Sequence, residues 1–248
     1  MAADFRSPAF PATRRSAVAA VGSDDPAERA RSFDVLVRAY WKPVYKHVRL
    51  KWSRDVTDAG DLTQGFFARA FEKRWFADYE REKALFRTYL KSCLDRYVME
   101  ALRDEKRQKR GGDAVRLSLD FGFAEAELAR SGPPNAASVD AVFDAEWMRS
   151  LLASAVESLD ALCAEQGKET YARAFKRYVL DADGDGRDAR PSYAVLAAEL
   201  GIAVTDVTNY LAWTRREFRR LVLEALREIT ATEEEWRSEA RAVLGVDP

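Results

Sequence analysis

Tyr89, Ser92, Arg96, Met99 and Arg103 recur every three or four residues, so a helix brings them to one face. Lys106, Arg107, Lys109 and Arg110 extend that face into a basic end. An aromatic ring beside arginines suits unstacked single-stranded bases, because stacking and phosphate pairing act together there. A second group, Asp206, Thr208, Asn209 and Tyr210, is followed by Arg215, Arg216, Arg219 and Arg220 on one helical pattern. That combination suits the base edges and phosphates of a duplex. A third group, Asp181-Ala182-Asp183-Gly184-Asp185-Gly186, resembles the start of a calcium loop, with oxygen ligands at alternate positions and glycine at the sixth. Its twelfth position is Ser192 in place of a bidentate glutamate, so a plain acidic turn is the favoured reading and no metal or cofactor is expected.

Catalytic chemistry is poorly provided for. His47 is the single histidine and cannot build a multi-histidine metal site or an acid–base pair. Cys93 and Cys163 are too few for a disulfide framework or a zinc ribbon, and both read as inert thiols. With no nucleophile–base pair and no glycine-rich phosphate loop, an enzyme is the weakest reading. No apolar run approaches the ~18–20 residues that cross a bilayer, so no membrane partner is expected. Residues 1–24 lack the apolar core of a signal peptide, which places the chain in the cytoplasm.

The net charge of −1 over 248 residues hides its distribution. Residues 31–110 hold 20 basic and 12 acidic side chains, a net of +8, whereas residues 111–170 hold 4 and 11, a net of −7. Residues 171–228 are close to balance, with 10 and 9. A basic module that meets a polyanion, followed by an acidic spacer, fits this asymmetry.

The elements that must position these residues read as all-α, in two helical domains joined by a flexible acidic linker. The expected divisions are a disordered tail over 1–25, a helical domain over 26–112, a linker over 113–139, a helix-turn-helix domain over 140–230 and a tail helix over 231–248. Asp25-Pro26 predicts a helix start, with one helix to about residue 39 and another from Trp41 to Trp52. Asp58 is the expected cap of a third helix ending near Trp75, and a fourth runs from about Lys83 to Lys109. In the third helix Leu62, Phe66 and Ala70 form an apolar stripe widened by Phe67 and Phe71. Asp61, Gln64, Gly65, Ala68 and Glu72 share the opposite face, small and flat enough for a partner helix. In the fourth helix Phe86, Leu90, Cys93, Leu94, Tyr97 and Ala101 form the buried stripe. From Asp113 to Val139 the apolar period is lost, and Ser131-Gly132-Pro133-Pro134 breaks the chain.

Farther on, Leu196, Ala197 and Leu200, a turn at Gly201, then Ile202, Val207 and Leu211 give helix-turn-helix spacing. Its second helix runs from about Val204 to Thr230. Thr232 and Glu235 fit a capping box for the tail helix.

The chain resembles extracytoplasmic-function (ECF-type) sigma factors of bacterial RNA polymerase, within the sigma-70 family. The resemblance covers about residues 30–110 (sigma region two) and 145–228 (sigma region four). It is carried by Tyr40-Trp41-Lys42-Pro43-Val44-Tyr45, Asp61-Leu62-Thr63-Gln64 with Phe67, and Phe86-Arg87-Thr88-Tyr89-Leu90. In the second module it rests on Ser192-Tyr193, Leu196-Ala197, Leu200-Gly201, Val207, Leu211 and Arg215.

The resemblance implies a promoter-specificity subunit that binds polymerase core and directs promoter recognition and opening. Asp61, Gln64, Phe67 and Ala68 would dock on the coiled coil of the β′ subunit, the β subunit being a further contact. The loop 78–85, with Tyr89, Ser92, Arg96, Arg103, Lys106 and Arg107, would recognise and open the minus-ten element. Asp206, Thr208, Asn209, Tyr210, Arg215, Arg216 and Arg219 would read the minus-thirty-five element. An anti-sigma factor is a further partner the resemblance admits. Tyr89 stands where the family usually has tryptophan, which preserves an aromatic, and Arg96 stands where it has asparagine, which implies a shifted base preference. Thr208, Tyr210 and Trp213 occupy positions where basic residues are typical, which implies weak or altered minus-thirty-five binding. Outside the resemblance, the amphipathic, acidic tail helix with Trp236, Ala240 and Val243 is expected to dock on the second module as a restraint, so that deleting residues 231–248 raises promoter activity. The competing readings are a stand-alone helix-turn-helix regulator and a helical interaction protein.

Overall fold

The computed structural model describes residues 16–80, 82–105, 117, 119–130, 139–181 and 190–245, and these contain helices and no strand. They divide into two compact units: the chain through Phe143 together with Arg227–Trp236, and Asp144–Leu226 together with the residues from Arg237 onward.

In the first unit, α1 (Ala17–Ala20) packs on α2 (Pro26–Lys51), so part of the expected N-terminal tail is folded. Ala17, Val18, Ala20 and Val21 are buried, which gives this short segment its reason to be ordered. The Asp25 side chain accepts from the Ala27 amide at 3.0 Å and caps α2. The two helices expected over 26–52 are one, with Pro43 inside it. A proline there removes one backbone hydrogen bond, a cost of about 3 kcal/mol in a free helix. Burial of Tyr40, Pro43, Val44, Tyr45 and Val48 along the same stretch offsets that loss.

Helix α3 (Val56–Glu72) starts earlier than expected, because Asp55 and not Asp58 is its cap. The Asp55 carboxylate accepts from the Asp58 amide at 2.8 Å. After α3 the chain turns through Arg74, in the left-handed region at φ 54°, into a 3-10 turn over Trp75–Asp78. Helix α4 (Phe86–Glu105) follows. Phe33, Phe76, Phe86 and Tyr40 build an aromatic core between these elements, with ring centroids 5.5–5.8 Å apart. His47 is a core residue: it is 1% exposed and its Nε2 lies 3.1 Å from Asp95 Oδ1.

The stretch expected to be linker contains α5 (Phe121–Arg130), which packs on α2 and α3. Its acidic residues do not float as a spacer. Glu125 accepts from the Tyr45 hydroxyl at 2.8 Å and from Arg49 at 2.9 and 2.5 Å. Glu127 pairs with Lys42 at 3.2 Å and with the buried Lys46 at 3.0 Å. The Phe121 ring lies 3.3 Å from where a Cβ on Gly60 would stand, so a larger residue there would make the ring give by a few tenths of an ångström. The remaining linker residues, apart from Leu117, Leu119, Asp120 and Val139, lie outside the described residues.

Helix α6 (Val139–Glu165) leads into the second unit, where α7 (Glu169–Phe175) continues as a π-helical stretch over Lys176–Leu180. Of the acidic calcium-like loop only Asp181 is described, and Ser192 serves as N-cap of α8 (Tyr193–Leu200), accepting from the Val195 amide at 3.3 Å. Gly201, at φ 67°, turns the chain by 95° into α9 (Val204–Glu228). Ala174, Leu196, Ala197, Val207 and Leu211 close the core under this turn. Helix α10 (Glu233–Leu244) ends the described chain. The tail does not belong wholly to the second module, since Arg227–Trp236 falls in the first unit.

Candidate nucleic-acid interface

A groove of about 350 Å³ opens where the end of α3, the 3-10 turn and α4 meet. Aromatic side chains Trp75, Tyr89 and Tyr97 line it, and Arg69, Lys73 and Arg96 stand at it as cations. Asp78 and Glu100 also border it, leaving one net positive charge. The Tyr89 hydroxyl donates to the Trp75 carbonyl at 2.7 Å, which ties α4 to the 3-10 turn. The Trp75 and Tyr97 rings lie 6.2 Å apart. Burial, with Cys93 and Asp78 adding to it, pushes the Tyr89 phenol well above its ordinary range, so it stays a neutral donor. Burial likewise raises the Cys93 thiol at the groove wall, against the lowering effect of Tyr89 and Arg96. A protonated thiol is a poor nucleophile, which fits a binding wall and not a catalytic one.

Sequence spacing found Tyr89 and Arg96 but missed most of the groove. Tyr97, assigned to the buried stripe, is half-exposed and faces the groove, while Trp75, Arg69 and Lys73 were not singled out. The signal for the last two was the four-residue spacing of Arg69 and Lys73 just ahead of an aromatic residue. Ser92 is exposed and its hydroxyl donates back to the Thr88 carbonyl at 3.1 Å. Arg103 is exposed on the last turn of α4, beyond the groove lining. Lys106 and Arg107 lie outside the described residues.

On the opposite part of α3, Asp61 is exposed and Gln64 and Ala68 are half-buried. Phe67 does not join them: it is fully buried, 5.1 Å from the Phe66 ring and 6.3 Å from Phe33. A fully apolar ring gains most from the core, and Phe67 falls on the stripe that α2 covers. A Cβ on Gly65 would point at the Tyr97 ring.

In the second unit, one face of α9 is exposed at Thr205, Thr208, Asn209, Ala212, Arg215, Arg216 and Arg219. Asp206 is half-buried, and Tyr210 is used for packing, its ring stacked 3.7 Å from Tyr171. Trp213 packs edge-on to Tyr171 at 5.5 Å, with Lys168 4.2 Å from its ring centroid. The two aromatic residues thus hold α9 against α7. Arg220 is held by Glu217 at 2.9 Å and Glu224 at 2.6 Å. Arg216 lies 3.5 Å from Glu217, and Arg215 stands over the Tyr178 ring at 5.5 Å.

Among the described residues there is no cluster of acidic, histidine or cysteine side chains that would hold a metal ion. No single helix among them is long and apolar enough to cross a membrane. An all-α chain with an aromatic, cationic groove and a separate helix-turn-helix has the equipment of a nucleic-acid-binding protein. The family described as ECF sigma factor matches residues 30–184, and the chain belongs to that family. Its role is that of a sigma factor in transcription initiation, in a family of regulatory initiation factors that bind polymerase core and promoter DNA and are not enzymes. No curated protein matches the chain, and no solved structure matches it. The family match includes the groove and ends before α8 and α9.

Proposed function

We propose that the groove between α3 and α4 takes a base of the single strand exposed at the minus-ten element. Trp75, Tyr89 and Tyr97 offer it ring faces, and Arg69, Lys73 and Arg96 pair with the flanking phosphates. Base–aromatic stacking is worth about 1–3 kcal/mol per base, so one or two such contacts would hold a strand open against duplex reclosure. Asp61, Gln64 and Ala68 on α3 form the part of the surface that docks on the β′ subunit of the polymerase core. The exposed face of α9 contacts the minus-thirty-five duplex, with Thr208 and Asn209 toward bases and Arg215, Arg216 and Arg219 toward phosphates. The observation that carries the reading is the convergence of three aromatic rings and three cations on one groove inside the family match.

Run-off transcription with purified core polymerase tests it. The chain is expected to give core-dependent initiation and permanganate-reactive thymines at the start site. Tyr89→Ala is expected to lower opening while leaving core affinity unchanged. DNA binding with no core-dependent initiation would favour a stand-alone helix-turn-helix regulator instead.

A further inference from the structure

We propose that Glu235 is a positioning residue for the single-strand groove, closing the N-terminus of α4 from the far end of the chain. The inference rests on the function proposed for the groove. Helix α4 begins directly after Lys83-Ala84-Leu85, none of which has a short polar side chain to cap it. Its first amides therefore need an acceptor from elsewhere. Glu235, 149 residues beyond Phe86, supplies it: Oε1 accepts from the Phe86 amide at 2.8 Å. The other carboxylate oxygen accepts from the Ala231 amide at 2.7 Å. The carboxylate is thus shared between its own segment and α4; of the expected capping box, Thr232 Oγ1 accepts from the Glu235 amide at 3.0 Å, while the return bond goes to the Ala231 amide.

The setting makes this more than a surface contact. Glu235 is 8% exposed, and its negative charge stands at the positive end of the α4 dipole. Tyr79 donates to the Ala84 carbonyl at 2.7 Å and lies 3.5 Å from Glu235 Oε1, so the loop from the 3-10 turn into α4 is tied at the same point. Arg227 stands 4.0 Å from the centroid of the Trp236 ring and pairs with Glu233 at 3.2 Å, which braces the segment internally. Arg227–Trp236 belongs to the same compact unit as the groove and lies beyond the family match. Glu235 itself does not line the groove. It acts through the first turn of α4, which carries Tyr89 and, through the Tyr89 hydroxyl, holds Trp75.

The test uses the full chain with core polymerase, comparing Glu235→Ala and Glu235→Gln with wild type. Loss of the cap is expected to speed amide exchange over Phe86–Tyr89 about tenfold, with α2 amides unchanged. Promoter opening by Glu235→Ala, read by permanganate at saturating core, is expected to fall about tenfold while core affinity holds. Glu235→Gln keeps an acceptor for the Phe86 amide and is expected to recover most of the opening. Unchanged opening in Glu235→Ala overturns the proposal, as does a loss that merely parallels core affinity or α2 exchange. If the wild-type chain opens no promoter, the reading of the groove itself fails; if wild type and Glu235→Ala open equally well, only the role of Glu235 fails.

Discussion

A Cβ placed on Gly65 would stand 2.2 Å from the Tyr97 hydroxyl oxygen. The glycine in α3 is therefore what lets the Tyr97 ring cross the helix and form a wall of the groove. Gly65→Ala gains helix propensity of up to ~1 kcal/mol but forces Tyr97 to move. Promoter opening is expected to fall several-fold, with the melting temperature nearly unchanged. Tyr97→Phe removes the clashing oxygen, so the double variant is expected to regain opening. Permanganate footprinting of the two single variants and the pair checks this, and full activity of Gly65→Ala would show that the groove does not depend on Tyr97.

What could be read from sequence and what could not divides along the range of the interactions. Tyr89 and Arg96 were legible because a helix's own period places them together. The turn at Gly201 was legible for the same reason, its residues being neighbours in the chain. Helix α5 was not: Glu125 and Glu127 look like solvated charge until Tyr45, Arg49, Lys42 and Lys46, 76 to 85 residues away, are brought to them. Pro43 misled in the opposite direction, since local rules end a helix where tertiary burial carries α2 straight through. Tyr97 was misplaced for a similar reason, whereas Phe67 is buried on the stripe its period predicts and only the docking role implied by the resemblance fails. One helical wheel cannot say which flank of an apolar stripe the neighbouring helices will cover.

The docking of α5 should depend on acid in a defined direction. Arg49 chiefly, helped by Tyr45, holds the Glu125 carboxyl below its ordinary value of 4.5 against the effect of burial. Burial would raise Glu127, but Lys46 and Lys42 outweigh it and its carboxyl is also lowered. Groups depressed in the folded state contribute stability that is fully present above the unfolded value and is lost as pH falls through the folded one. The α5 amides should stay protected from exchange above about pH 4.5 and lose protection below it, ahead of the α2–α3 core. Protection that is flat down to global acid unfolding would count against these pairs.

Glu127→Ala tests the same contact at neutral pH. It leaves the Lys46 ammonium, 2% exposed, without this carboxylate, whereas Glu127 itself is 25% exposed. The expected loss is about 2 kcal/mol, below the ~3–5 kcal/mol of a wholly buried pair that is broken on one side. Lys46→Met with Glu127→Leu, which removes both charges, is expected to recover most of it in urea unfolding. A double variant as unstable as Glu127→Ala would mean that the carboxylate matters for something other than the buried charge.

The two thiols should be unreactive in the folded chain. Burial raises Cys163, with Asp160 adding to it, as burial raises Cys93. A raised value leaves little thiolate at neutral pH, and both side chains are buried. Iodoacetamide at pH 7.5 is expected to label neither residue until urea unfolds the protein. Labelling of Cys93 in the native chain would show that the groove wall opens readily.

Helix α9 offers a contrast between two kinds of departure from a basic recognition helix. Thr208 is exposed, so Thr208→Arg adds a cation at no cost to packing. It is expected to raise duplex affinity and steepen the log–log salt dependence by about one unit, with an unchanged melting temperature. Tyr210 instead stacks on Tyr171, and Trp213 packs against the same ring. Tyr210→Lys therefore exchanges a ring pair worth roughly 0.5–1.5 kcal/mol, beyond its buried area, for a charge close to the core. Its expected outcome is a less stable second unit and little gain in binding. Fluorescence anisotropy over a salt series, run beside thermal unfolding, separates the two variants. Equal gains in affinity from both, at equal stability, would mean that Tyr210 faces the duplex after all.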